Sequence, residues 1–91
     1  MADEILMDDI DTRRRRAAFR AAHRGTKEMD IMLGRYAAAV LPELTDPDLA
    51  RFELFIQLPD PELQGWLLDG ATIPAAAFAP IVANVRKFHG L

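Results

Sequence analysis

The chain lacks most of the groups that do covalent or acid–base chemistry. It contains no serine and no cysteine, which removes the commonest nucleophiles and every thiolate metal ligand. Histidine is the usual general base, and the only two, His23 and His89, lie near opposite ends. With the scattered acids they form no recognisable metal-ligand spacing. Gly25, Gly34, Gly65, Gly70 and Gly90 are isolated, so there is no glycine-rich loop to cradle a phosphate. A self-contained active site needs convergent groups, and this pattern argues against one.

What remains is the chemistry of recognition. Arg24-Gly25-Thr26-Lys27-Glu28 places two opposite charges four positions apart around a glycine. Pairing with each other, they would make a surface bridge worth about 0–1 kcal/mol. Exposed on a turn, they would make a two-signed patch, a rigid guanidinium fork beside a carboxylate acceptor, with Gly25 allowing close approach of another backbone. Trp66 has two readings as well, a core residue or an interface anchor. The run Arg13 to Arg16, continued by Arg20, Arg24 and Lys27, follows five acids (Asp3, Glu4, Asp8, Asp9, Asp11). It reads as a solvated helix face or as an anion- or partner-binding surface. A net charge of −3, with only Phe19 interleaved among the arginines, is weak support for nucleic acid.

The elements that must position these groups are helices. Asp11 or Thr12 caps the first, which runs through an alanine-rich stretch to a stop at Gly25. Thr26 caps the second, with Glu28 and Asp30 in its first turn. Met29, Met32, Leu33, Tyr36, Ala37, Val40 and Leu41 form its apolar stripe, and Pro42 ends it. Thr45-Asp46-Pro47-Asp48 opens a third helix carrying Leu49, Phe52, Phe55 and Ile56. Asp60-Pro61-Glu62 opens a fourth, very short one with Leu63, Trp66 and Leu67, closed by Gly70. The last buries Phe78, Ile81, Val82, Val85 and Phe88. Pro80 is tolerated if this helix starts near Ala76 or Ala77; a longer, kinked helix from Pro74 is the alternative. No segment alternates with period two. The expected fold is all-α, a small five-helix bundle in a single domain.

Ninety-one residues suit one small core. Residues 1–10 read as a flexible acidic extension and residues 11–91 as the helical domain. The acidic start is unlike a basic leader, and no apolar run is long enough to span a bilayer. With the missing cysteines, this leads to the expectation of a soluble, cytoplasmic protein.

Arg24-Gly25-Thr26-Lys27-Glu28, followed by Met29-Asp30, matches the RGxxE motif of the succinate dehydrogenase FAD assembly factors, the SdhE or flavinator family. Arg16 and Phe19 fall where that family tends to carry an arginine and an aromatic residue. Leu33-Gly34-Arg35-Tyr36 resembles its alphaproteobacterial continuation. "FELFIQLPDPELQGWL" resembles its second block, here with Asp60, Glu62, Leu63 and Trp66. The resemblance spans residues 13 to 88. Departures are the acidic start, Ala75-Ala76-Ala77 with Pro80, and an end at Leu91 without a long basic tail.

The resemblance implies a bacterial assembly factor, not an enzyme. Such a factor binds the flavoprotein subunit of succinate dehydrogenase, and in some bacteria that of fumarate reductase. It promotes covalent attachment of FAD to a client histidine. It further implies a partner-binding set of Arg24, Gly25, Glu28, Asp30, Arg16, Asp60 and Trp66, in which Asp30 supports the turn. Nothing resembles a dinucleotide fingerprint, so no stably bound cofactor is expected, nor are nucleic acid or direct membrane insertion. The alternative is a small regulatory module, antitoxin-like, that uses the arginine-rich first helix to bind nucleic acid or an acidic protein.

Overall fold

A computed structural model of the chain describes residues 9–73 and 76–91. The first helix, α1 (Ile10–Ala22), starts earlier than Asp11 or Thr12. Its cap is Asp9, whose carboxylate accepts the Thr12 amide at 2.7 Å. That bond holds the Asp9 carboxyl below its ordinary range. Ile10 is therefore already helical, while residues 1–8 of the expected extension lie outside the described residues.

Helix α2 (Lys27–Val40) opens as its sequence suggests, with the Thr26 hydroxyl accepting the Met29 amide at 3.3 Å. A single 3-10 turn, Leu41–Glu43, takes up Pro42. Helix α3 (Asp46–Phe55) follows Thr45, but the Thr45 side chain makes no capping bond. Helix α4 (Asp60–Leu67) begins after Pro59, with Pro61 in its first turn, where a missing amide costs nothing. Helix α5 (Ala79–Phe88) starts later than Ala76 or Ala77, because residues Ala76–Phe78 form a 3-10 turn. Pro80 then sits in the first helical turn. Pro74, the start of the kinked alternative, lies outside the described residues.

The fold is all-α, five helices with no strand among the described residues. The longest helices, α1 and α2, pair as a hairpin and make the most extensive helix contact. Small residues make that approach possible. Ala17 and Ala21 of α1 are buried, and a β-carbon built on Gly34 of α2 would stand 3.0 Å from Ala22 Cα. Over the hairpin lie α3, α4 and α5, and their stripes share one core with Met29, Leu33 and Tyr36. Aromatic rings run through it: Tyr36–Phe52 (6.0 Å between centroids), Phe52–Phe55 (6.3 Å), and Phe55 against both Trp66 (6.4 Å) and Phe78 (5.6 Å). One expected core residue differs. Phe88, the last residue of α5, is 45% exposed and meets Tyr36 edge-on.

Candidate docking site

The segment between α1 and α2 is four residues long, His23 to Thr26. Gly25 turns it with φ +112°, a backbone conformation that side chains with a β-carbon rarely adopt. Nothing lies within 4 Å of the place its β-carbon would take, so the turn faces open space. The Asp30 carboxylate, from the first turn of α2, accepts the backbone amides of both Arg24 and Gly25 (the latter at 3.3 Å). The turn is thus tied to the helix it precedes.

Arg24 does not project outward. Its guanidinium crosses to the junction between α3 and α4 and donates through all three nitrogens. Nη1 reaches the Ile56 carbonyl, Nη2 the Leu58 carbonyl at 2.9 Å, and Nε the Asp60 carboxylate at 2.9 Å. The Arg24 side chain is 11% exposed and that of Asp60 21%. The physical reason is a helix end. When α3 stops at Phe55, the next carbonyls have lost their helical partners, and a cation is favoured at that C-terminus. Arg24 therefore corrects two expectations, exposure on the turn and pairing with Glu28. Asp60, expected on the same surface, is the partner that holds Arg24.

Glu28 behaves as the exposed reading requires. It lies on the open side of α2 beside exposed Thr26 and Lys27. Its carboxylate has no hydrogen bond or ion pair among the described residues. Trp66 is 8% exposed and packs on Phe55 and Phe78. Its indole belongs to the core, so an anchor role by direct contact is corrected too. Arg16 is exposed on α1 and takes part in an interaction. Both histidines are engaged with backbone: His23 Nδ1 donates to the Phe19 carbonyl (2.8 Å) and His89 Nε2 to the Met32 carbonyl (2.7 Å). His23 also stacks on the Phe19 ring, with centroids 4.0 Å apart.

The arginine run divides: Arg15, Arg16, Arg20 and Lys27 are exposed, as a solvated face requires, while Arg13, Arg14 and Arg24 turn inward. Arg13 bonds Glu53 through two nitrogens (2.7 and 3.2 Å) and Asp46 at 2.7 Å, stitching α1 to α3. The hydrogen bonds it donates to Glu53, then Asp46, push its pKa further up. Arg14 reaches Asp11 (3.0 Å) and the Leu44 carbonyl (2.7 Å), and Arg15 reaches Thr12 (3.2 Å). Among the described residues, no group of three or more histidines and acids gathers to hold a metal ion. No described helix is long and apolar enough to cross a membrane.

Residues 15–89 match the family described as flavinator of succinate dehydrogenase. The chain belongs to that family. It is 37% identical over 84 residues to the FAD assembly factor SdhE of Acetobacter pasteurianus, covering 92% of this chain and 77% of that protein. The SdhE of Shewanella oneidensis is 30% identical over 66 residues, 72% of this chain and 80% of its own. The mitochondrial succinate dehydrogenase assembly factor 2 of Dictyostelium discoideum is 31% identical over 68 residues, 75% of this chain but 48% of its own length.

The matched span takes in both the turn and the α3–α4 junction. Sequence reasoning found Arg24 and Asp60 separately and missed that they bond to each other. The available signal was an arginine at a helix stop and an acid at a helix start, each suited to a helix end. Ile56 and Leu58 act through their carbonyls, which no side-chain pattern reveals. Nothing in its sequence neighbourhood marks Gly34 as a contact point of the α1–α2 hairpin, where its β-carbon position stands 3.0 Å from Ala22 Cα.

Proposed function

We propose that this chain binds the flavoprotein subunit of succinate dehydrogenase, and that of fumarate reductase where it is present. It thereby promotes covalent attachment of FAD to a histidine of that subunit. The observation that carries this reading is Glu28, a carboxylate without a partner among the described residues, on the open side of a turn tied down by Asp30 and Arg24. Beside it, Gly25 leaves room for another backbone. Family membership supports this choice of client, since the relatives are named as assembly factors of succinate dehydrogenase.

The factor contributes binding, and the isoalloxazine carries the chemistry. A factor that prefers the client conformation in which histidine and flavin are aligned raises the population of that state. This agrees with a chain that lacks serine and cysteine and engages both histidines with its own backbone. We assign it no stably held cofactor and no catalytic residue. The nucleic-acid alternative is weakened by the bonds that turn Arg13 to Glu53 and Arg14 to the Leu44 carbonyl.

The test is co-expression of the client with limiting factor, reading covalent flavin by its fluorescence in denatured protein. Glu28→Ala and Gly25→Arg should keep the helical circular dichroism of the factor and abolish its assistance. Normal covalent flavin with both variants would sink the docking assignment.

A further inference from the structure

We propose that Arg24 is a positioning residue. It latches the α1–α2 turn to the α3–α4 junction and so holds Gly25 and Glu28 in the geometry the client meets. The inference rests on the docking reading above and divides the motif into a latch (Arg24, with Asp30 and Asp60) and a contact face (Gly25, Glu28).

The argument starts from what could hold the turn. Nothing packs around Gly25, and His23, Thr26 and Lys27 are exposed, so apolar burial does not fix its shape. Polar bonds grip it from two sides. From α2, the Asp30 carboxylate takes the Arg24 and Gly25 amides. From the junction, the Ile56 and Leu58 carbonyls and the Asp60 carboxylate take the three guanidinium nitrogens. Three acceptors in fixed directions match a planar fork, which an ammonium on a flexible stem cannot reproduce. A side chain 11% exposed and occupied at every nitrogen has little left to offer a client.

The latch also explains why the two sequence blocks belong together. Asp60 opens α4, where the helix dipole favours a carboxylate, and its partner is the arginine of the other block. The junction sets the turn, and the turn sets the angle at which α2 presents Glu28.

The experiment titrates factor against purified client apoprotein and FAD, at a temperature where circular dichroism shows every variant folded. The readout is the rate of covalent flavin formation. If Arg24→Lys leaves the docking geometry in about a tenth of molecules, the half-saturating concentration rises about tenfold and the plateau rate is kept. Asp60→Asn, which retains a neutral oxygen acceptor, should shift the half-saturation less than Asp60→Ala. Glu28→Ala, which removes a contact and leaves the latch, should give no assisted flavinylation at any factor concentration. Amide hydrogen exchange of the factor alone supplies a second readout. The amides of residues 24 and 25, both held by Asp30, should exchange faster in Arg24→Lys, and Leu33 in the core of α2 should not.

A lowered plateau with unchanged half-saturation in Arg24→Lys would make Arg24 a contact residue and overturn the latch. Unchanged half-saturation and plateau, or exchange rising equally at Leu33, would overturn it as well. In each case Glu28→Ala keeps the docking reading separately on trial. A normal Glu28→Ala curve defeats that reading, and this inference with it.

Discussion

Arg24 and Glu28 stand four positions apart and meet opposite surroundings, because Gly25 reverses the backbone between them. The guanidinium goes to carbonyls that the end of α3 leaves free, and the carboxylate stays in water. A glycine at φ +112° is what permits the reversal. Alanine there would carry a β-carbon in a disfavoured conformation, at a cost of about 1–2 kcal/mol. The added atom meets only open space, so size should matter little to the isolated protein. Gly25→Ala and Gly25→Arg should lose similar stability in urea titrations and differ in assisted flavinylation, arginine being the worse. A much larger stability loss for arginine would mean that the turn is covered by the chain itself.

Among the elements, a recurring feature is how helix ends and turns are satisfied. Short helices have many ends per residue, and each end leaves backbone groups unpaired. Arginines reach across to several of them: Arg14 to the Leu44 carbonyl, Arg24 to those of Ile56 and Leu58, Arg86 to that of Leu67 at 2.6 Å. These bonds, with Arg13 on Glu53 and Asp46, knit elements together from groups that a charge count would place in solvent. The α1–α2 hairpin depends instead on smallness. Gly34→Leu would drive a side chain into the Ala22 backbone, already 3.0 Å from an ideal β-carbon. It should destabilise the fold by about 1–3 kcal/mol, seen as a lower urea midpoint. An unchanged midpoint would mean that the hairpin can open at no cost.

At the scale of the molecule, the core supplies its own reporter. Tyr36, the single tyrosine, is buried. Burial raises its pKa above the ordinary 10.0, Asn84 opposing through a hydrogen bond. The folded state thus keeps the phenol neutral to a higher pH than the unfolded chain does. Stability from this group is intact below 10.0 and falls as pH rises from there through the folded value. Phenolate absorbance should show Tyr36 titrating above the denatured chain, alongside an alkaline decline in thermal stability that Tyr36→Phe reduces. Coincident titration of folded and denatured protein would contradict it.

By itself the sequence determined the number and order of helices, because caps and apolar spacing are local. Thr26 caps α2, and Met29, Leu33, Leu49, Phe52 and Leu63 are buried where their periodicity places them. It also carried the family, through the turn motif and the Asp60–Trp66 block. Helix starts shifted where the cap lay slightly upstream of Asp11 and Thr12, at Asp9, or where a 3-10 turn preceded the helix, at Ala76–Phe78. Only the tertiary structure decided which charges face inward. Arg24 and Asp60 are 36 positions apart, and Arg13 and Glu53 are 40. A charged side chain turns to whichever unpaired backbone or opposite charge folding brings within reach, and that neighbourhood does not exist until the helices have packed.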